Sequence, residues 1–465
     1  MYKGTGLMKV IVCGAGQVGF NIARHLALEN NDVTVVDNMP DLVRQVGDTL
    51  DARAVIGHAS LPEVLEEAGA ADTDMLIAVT HSDEVNMVAC QVAHSLFEIP
   101  KKIARIRQQS YLEPMWSSLF TQDNVPIDVI ISPEMEVARA VSRRLKVPGT
   151  FEMISLVDDK IKLLGVRCRE SCPLLNTPLR QLTKLFPDLN IVIVGIMRDD
   201  KAIVPSSDDQ MLSGDEIYFV VDSNQVNRAM TAFGYDETEA HRVLIFGGGN
   251  IGLFLARELE NQDNRIKVKI IESDAKRARF IAQELSGTMV VNGDVLDPEI
   301  LEEVNIQSTE TVVAVTNDDE TNILGSLLAK RYGTTRTVAL INKGTYEPLI
   351  NSLGIDAVVS PRNITVSTIL QHVRRGRIHS VHALREGFGE LIEAEALETS
   401  ELVGIPLREI KLPGGVLLGA IVRNGEMICP GGSTVIEAGD RVVLFAAENV
   451  IRKVEKLFSV QIEYF

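Results

Sequence analysis

Residues Met8–Gly19 read MKVIVCGAGQVG, and residues Arg242–Gly252 read RVLIFGGGNIG. In each, an apolar run of strand length ends in Gly-x-Gly-x-x-Gly and leads into a segment whose apolar residues recur at helical spacing. The glycine pattern alone is weak, but between a strand and a helix it describes the phosphate turn of a nucleotide-binding βαβ unit. Gly14 permits the tight turn, and Gly16 lets a pyrophosphate approach backbone N–H groups with no Cβ in the way. Gly19 lets the helix pack closely on the strand. Gly247, Gly249 and Gly252 repeat the spacing. A bound phosphate then meets the free N–H donors and dipole of the helix N-terminus.

The two stretches belong to a longer repeat. Gly14 and Gly247 are 233 residues apart, and Asp37 and Glu272, which close the runs VTVVD and KVKIIE, are 235 apart. LIAVTHSDEVNMVAC (Leu76–Cys90) and VVAVTNDDETNILGS (Val312–Ser326) are offset by 236, with identities at Thr80/Thr316, Asp83/Asp319, Glu84/Glu320 and Asn86/Asn322. IDVIISP (Ile127–Pro133) pairs with IDAVVSP (Ile355–Pro361). IVPSSDDQMLSGDEIYFV (Ile203–Val220) pairs with ICPGGSTVIEAGDRVVLF (Ile428–Phe445). The chain is therefore a tandem duplication of a module of about 230 residues, too large for a single solenoid repeat.

Within each half the first part alternates strand patterns (KVIVCG, DVTVVD, MLIAVT, KIARIR) with helical ones (NIARHLALE, LPEVLEEAG), which builds right-handed βαβ units and a parallel sheet. The remainder has short β runs broken by Gly, Pro and Asp turns, with one helix-like PLRQLTK or PLREIK. The expected architecture is α/β: two Rossmann-like doubly wound lobes, each followed by a small α+β lobe. Their expected bounds are 8–146, 147–236, 241–373 and 374–460.

Composition is that of an ordinary globular protein, with 45% hydrophobic and 24% charged residues over 465 positions. That length suits three or four domains of about 100–150 residues. The net charge of −18 opposes nucleic-acid binding, which needs a basic face. No apolar stretch has the length of a membrane span, and runs such as Ile217–Val221 and Val442–Ala447 are the size of buried strands. The first seven residues, MYKGTGL, lack the charged head and apolar core of a signal peptide and read as a short extension or a misassigned start, so a cytosolic chain is expected. Five cysteines in no metal framework agree with that compartment; Cys168 and Cys172, four apart, read as a redox pair or as buried thiols.

Asp37 ends the second strand eighteen residues beyond Gly19, where a carboxylate can accept both hydroxyls of a ribose; Glu272 stands twenty beyond Gly252. Either acid would repel a 2′-phosphate, and Asn38-Met39 supplies no arginine to hold one, so NAD(H) or an adenosine nucleotide is expected rather than NADP(H). Further contacts are expected at the other strand ends: Gly57-His58-Ala59 and Thr80-His81 in the first half, Gly293-Asp294 and Thr316-Asn317 in the second. Arg105 can reach a phosphate or serve in a surface salt bridge, whereas its counterpart lies near Leu340. The two sites are thus not equivalent.

No catalytic set is legible. The eight histidines show no metal spacing, and there is no nucleophile elbow or P-loop. His372, His379 and His382 fall in HVRRGRIHSVH, which reads as a solvated basic connector. No catalytic or metal-ligating residue is expected.

Together these motifs resemble the RCK (KTN) regulators of potassium transport. The resemblance is carried by VIVCGAGQVG, TDMLIAVTHSDEVNMVAC, KIARIRQQSY, IDVIISPEMEVARAV and the lobe order, and extends from Met8 to about Phe458. It implies nucleotide contacts at Gly14, Ala15, Gly16, Gln17, Val18, Asp37, Thr80, His81 and Arg105. In the second half it implies Gly247, Gly248, Gly249, Asn250, Ile251, Glu272, Asp294, Thr316 and Asn317. Some relatives carry an arginine directly after the second glycine; here Gln17 and Asn250 stand there, so that means of telling ATP from ADP is missing. The resemblance further implies NAD(H), with ATP or ADP as further ligands, and a membrane potassium channel or transporter subunit as partner. It also implies a homotetramer whose eight nucleotide lobes form a ring at the inner face of the membrane. Helices Glu134–Leu145 and Asn363–His372 would cross between partner lobes. Two alternatives stay open: an NAD-dependent oxidoreductase, and a redox or energy sensor acting on a soluble partner.

Overall fold

The computed structural model describes residues 8–447 apart from 29–30, 187, 200, 238, 263–264, 347–348, 351–352, 374–377 and 385–387, together with 450 and 454. The N-terminal extension, the middle of HVRRGRIHSVH and the expected end of the last lobe lie outside the described residues.

The first lobe runs β1 (Lys9–Cys13), α1 (Gln17–Leu28), β2 (Asp32–Asp37), α2 (Pro40–Thr49), β3 (Arg53–Ile56), α3 (Pro62–Glu67), β4 (Met75–Ala78), α4 (Asp83–Phe97), β5 (Lys101–Arg105) and β6 (Val129–Ile131). Its six strands are parallel, in the order β3-β2-β1-β4-β5-β6. The order reverses between β1 and β4, and open sheets of this kind bind ligands at such a reversal, beyond the strand C-termini. Val10, Ile11, Val12 and Cys13 are all buried, as a strand covered by helices on both faces requires.

α5 (Pro133–Lys146) leads into the first small lobe: β7 (Thr150–Leu156), β8 (Ile161–Arg167), α6 (Leu179–Leu185), β9 (Ile191–Arg198), β10 (Lys201–Ile203), β11 (Glu216–Asp222) and α7 (Val226–Ala232). Its sheet is antiparallel, in the order β10-β9-β11-β8-β7. Cys168 and Cys172 are free thiols buried in its core.

The second nucleotide lobe repeats the first with β12 (Arg242–Phe246), α8 (Asn250–Gln262), β13 (Lys267–Glu272), α9 (Ala275–Glu284), β14 (Met289–Asn292), α10 (Pro298–Glu303), β15 (Thr311–Ala314), α11 (Asp319–Arg331), β16 (Arg336–Leu340) and β17 (Ala357–Val359). The strand order is again β14-β13-β12-β15-β16-β17. After α12 (Pro361–Val373) comes the second small sheet, from β18 (Ile378–Ala383), β19 (Glu390–Glu395), β20 (Val416–Arg423), β21 (Glu426–Ile428) and β22 (Arg441–Ala446), in the order β18-β19-β22-β20-β21.

The chain divides into two compact units that do not coincide with its halves. Among the described residues, the first gathers those up to Glu136 with Arg362–Val373, and the second gathers Val137–Pro361 with those beyond Val373. Each helix that follows the sixth strand of a lobe therefore sits with the other half. In the first unit, Val366, Ile369, Leu370 and Val373 of α12 join the core of the first lobe, and Lys101 donates to the carbonyl of His372. In the second unit, Gln262 of α8 donates to Ser142 of α5 (3.0 Å), and Arg144 donates to the Val358 carbonyl (3.0 Å).

The second unit holds a further arrangement that the periodicity did not disclose. The small sheets of the two halves share one core, in which Tyr218 and Phe388 have ring centroids 5.0 Å apart and Phe388 and Phe445 4.9 Å apart. Gly195 lies under the Phe388 ring, where a Cβ would come within 2.2 Å. The solvated-connector reading of HVRRGRIHSVH is corrected here. His372 lies on α12, and His379 and His382 lie on β18, which pairs with β19. Burial pushes the His382 imidazole down to about 4, with Arg143 adding to the fall.

Candidate functional site

The glycine loops have the geometry their spacing predicts. Gly14 has φ +108° and donates its N–H to the Val36 carbonyl (2.7 Å), prolonging the β1–β2 pairing into the turn. A Cβ on Gly14 would lie 3.0 Å from the Thr80 nitrogen, so the loop is both left-handed and tightly backed by the end of β4. A Cβ on Gly16 would meet nothing within 4 Å, which leaves open the face a phosphate would approach. A Cβ on Gly19 would lie 1.8 Å from the Gly14 carbonyl oxygen, so α1 rests directly on the turn. Gly247 (φ +98°), Gly249 and Gly252 reproduce the three situations, with 2.1 Å in place of 1.8 Å at the last.

The acidic residues are wired alike. Asp37 accepts the Ala15 N–H on Oδ2 (2.6 Å) and the Met39 N–H on Oδ1 (2.8 Å). Glu272 accepts the Gly248 N–H on Oε2 (2.7 Å) and the Asp274 N–H on Oε1 (2.8 Å). Each carboxylate thus ties the glycine loop to the chain just beyond the second strand. Its remaining lone pairs are available at the crevice for ribose hydroxyls.

A cavity of about 490 Å³ opens at the strand ends of the first lobe, within the usual range for small-ligand sites. Gly14, Gly16, Gln17, Val18, Asp37, Thr80, His81 and Arg105 all line it, joined by His58, Met39 and Leu42. Ala15 is not among the lining residues; its backbone N–H serves Asp37. Arg105, the last residue of β5, donates from Nη2 to the Thr80 carbonyl (2.7 Å), while its buried Nε finds no hydrogen-bond partner among the described residues. Burial lowers its pKa, with Arg107 contributing and Glu134 and Asp83 opposing. A cation held this way is suited to an anionic ligand.

Two features were not recognised from the sequence as parts of the site. Asn86 and Asn322, both fully buried, hold the crevice walls together. Asn86 accepts from the Thr80 N–H (2.9 Å) and hydroxyl (2.7 Å) and donates to the Arg105 carbonyl (2.9 Å). Asn322 makes the same bonds with Thr316 and the Leu340 carbonyl. Their match in the repeat was the available signal. The second feature is Arg277 on α9, which donates from Nε to the Gly248 carbonyl (2.8 Å) and from Nη2 to Asn250 Oδ1 (3.1 Å). The other expected second-site residues, Gly247–Ile251, Glu272, Asp294, Thr316 and Asn317, stand at or just beyond the C-terminal ends of β12–β15. No group of three or more His, Cys, Asp or Glu among the described residues is placed to hold a metal ion.

Models of known families match throughout: the TrkA-N domain at residues 10–133 and 243–361, and the TrkA-C domain at 163–234 and 391–459. The Trk system potassium uptake protein TrkA of Azorhizobium caulinodans is 54% identical over 458 residues, covering 98% of this chain and 100% of that protein. Its namesake in Halomonas elongata is 41% identical over 462 residues, again covering 98% of this chain and 100% of the relative. Among solved structures, a GsuK channel bound to NAD superposes with a TM-score of 0.59 over 98% of this chain and 80% of that one. At 18% identity this last likeness is one of fold.

Proposed function

This chain belongs to the TrkA family of potassium uptake proteins, and from that premise we propose that its two crevices sense NAD(H) and adenine nucleotides for a membrane potassium transporter. It is a regulatory nucleotide-binding subunit of a potassium uptake system, not an enzyme. The observation that carries the nucleotide reading is the convergence of the open Gly16 face, the Asp37 carboxylate and the underpaired Arg105 on one cavity. Those three groups match a pyrophosphate, a ribose and a further phosphate in kind and in order.

In this proposal the ligand contacts are Gly14, Gly16, Gln17, Val18, Asp37, Thr80, His81 and Arg105 in the first lobe. The second lobe contributes Gly247–Ile251, Glu272, Asp294, Thr316 and Asn317. The partner is a membrane subunit of the TrkH/TrkG type, and four chains close a ring of eight nucleotide lobes on its cytoplasmic side. No helix among the described residues is long and apolar enough to cross a membrane. A nucleotide shifts transport only by binding one ring shape more tightly than the other; a coupling of about 1–3 kcal/mol changes the ratio of states about 5- to 150-fold.

Calorimetric titration of the full chain with NADH, NAD⁺, ATP and ADP tests the reading. Two binding events are expected, one lost in Asp37→Ala and the other in Glu272→Ala. A folded chain that binds none of the four nucleotides would remove the basis of the proposal.

A further inference from the structure

We infer that Cys168 and Cys172 form a dithiol that a small hydroperoxide oxidises to a disulfide, with Cys172 reacting first and Cys168 closing the bond. The inference is independent of the nucleotide crevices, because both residues lie in the core of the first small lobe, in the turn that leaves β8.

That turn brings the two thiols together. Cys168 directly follows β8 and is pinned from both sides: its N–H donates to the Asp215 carbonyl (2.8 Å), and its carbonyl accepts the Gly214 N–H (2.8 Å). The Cys172 N–H closes the reversal on the Arg169 carbonyl (2.9 Å), and the two side chains share a hydrogen bond. Thiols already in contact across a closed turn can join with little movement of the backbone.

The duplication supplies an internal control. In the second half the same turn has Ala396 pinned by Asp440 (2.8 Å) and Gly439 (2.7 Å), and Ser400 donating its N–H to the Leu397 carbonyl (2.9 Å). The turn therefore folds with alanine and serine in the two places, and its shape does not require the thiols of the first half.

Their surroundings make the two thiols unequal. The bond from Cys168 favours the thiolate of Cys172, burial opposes it, and the N–H groups of Leu174 and Leu175 add to the stabilisation, so its pKa is lowered. The same thiol contact, with burial, raises Cys168, which keeps its proton. Burial raises Cys13, Cys90 and Cys429 as well, so Cys172 is the one cysteine of the five shifted toward the nucleophilic form. Cys172 is 5% exposed, and its neighbours Ser171 and Pro173 are exposed, so it lies just beneath the surface, where hydrogen peroxide fits better than a bulky disulfide.

The Cys172 thiolate attacks one peroxide oxygen. The O–O bond breaks, hydroxide leaves and is protonated to water, and Cys172 becomes a sulfenic acid. Cys168 Sγ then attacks Cys172 Sγ, forming the S–S bond and expelling hydroxide, which the Cys168 proton converts to water. Two thiols and one hydrogen peroxide thus give one disulfide and two waters; the sulfurs lose two electrons and the peroxide oxygens gain them.

The test treats the reduced full chain with hydrogen peroxide, alkylates it under denaturing conditions and reads the peptide spanning Cys168 and Cys172 by mass spectrometry. That peptide is expected to lose two hydrogens and to regain them with dithiothreitol, while free thiols fall from five to three. Cys13 and Cys90 are expected to react roughly tenfold or more slowly than Cys172. Cys168→Ala is expected to leave Cys172 as a sulfenic acid that dimedone traps, and Cys172→Ser to abolish oxidation of the peptide. Both variants introduce the residues that the second half already carries in this turn, which protects the fold, and the unaltered chain decides the matter if either fails to fold. A peptide that keeps both thiols while free glutathione in the same sample is oxidised would overturn the inference. Dimedone labelling of Cys168 in Cys172→Ser equal to that of Cys172 in Cys168→Ala would overturn it too.

Discussion

Replacing Asp37 by alanine removes a carboxylate that serves the fold and, in the proposed function, the ligand. It accepts N–H groups from Ala15 at 2.6 Å and Met39 at 2.8 Å, so the variant loses two charge-assisted bonds that shape the glycine turn. Bonds to a charged acceptor contribute about 1.5–3 kcal/mol each when well shielded. Asp37 is half-buried, which places these near the lower figure and makes a total of about 2–3 kcal/mol. For a lobe of this size that is a fall in Tm of roughly 4–12 °C. Binding loses the ribose contacts as well: about 2–4 kcal/mol, or roughly 30- to 1,000-fold in Kd. Asp37→Asn separates the two roles, since the amide oxygen can still accept one of the loop N–H groups while the negative charge is gone. Calorimetry with NADH and a thermal melt on both variants read the two quantities. The first-crevice event should weaken in each variant, Tm should fall further in Asp37→Ala, and the second-crevice event should persist. An unchanged first-site Kd, or an equal loss at both sites, would refute the assignment of Asp37 to the ribose.

Gly19→Ala places a Cβ 1.8 Å from the Gly14 carbonyl oxygen, so α1 must lift from the turn. The variant is expected to lose nucleotide binding at the first site and to destabilise that lobe by about 1–3 kcal/mol; a wild-type melt and Kd would disprove the packing role. His382 supplies a pH dependence. Its folded pKa of about 4 lies below the unfolded value of about 6.5, so the unfolded chain binds more protons between the two. The stability from the neutral imidazole is full above pH 6.5 and is lost as pH falls to 4, up to about 3 kcal/mol. Tm measured across that window should fall less steeply in His382→Gln, and identical slopes would count against the assignment.

The parts of the site that were legible in the sequence are those fixed by local backbone. A turn with φ +108° backed by Thr80 needs Gly14, and an acid at the end of β2 falls beside that turn because β1 and β2 are neighbours in register. Arg277 was not legible because its role depends on a side chain reaching back from α9 across 29 residues to Gly248. HVRRGRIHSVH misleads for a related reason. Its polar, basic composition reads as solvated, yet Ile378–Ala383 pairs with β19, and the covering comes from residues distant in sequence. The shared core of the small sheets is likewise nonlocal: Gly195 and Phe388 carry no mutual signal until the second unit brings them together. The crossing helices lie between these cases. The resemblance to the RCK regulators implied that they cross between partner lobes, and the structure places α12 on the first lobe and α5 beside α8 of the second.

The most direct test of nucleotide-controlled potassium uptake is ion flux. Vesicles carrying a TrkH/TrkG-type membrane subunit would be supplied with this chain on their cytoplasmic side, and potassium uptake measured with and without NADH or ATP. The account predicts a nucleotide-dependent change of about 5- to 150-fold that disappears with the Asp37→Ala/Glu272→Ala chain. A flux that depends on the chain but is the same with every nucleotide and with the double variant would contradict it.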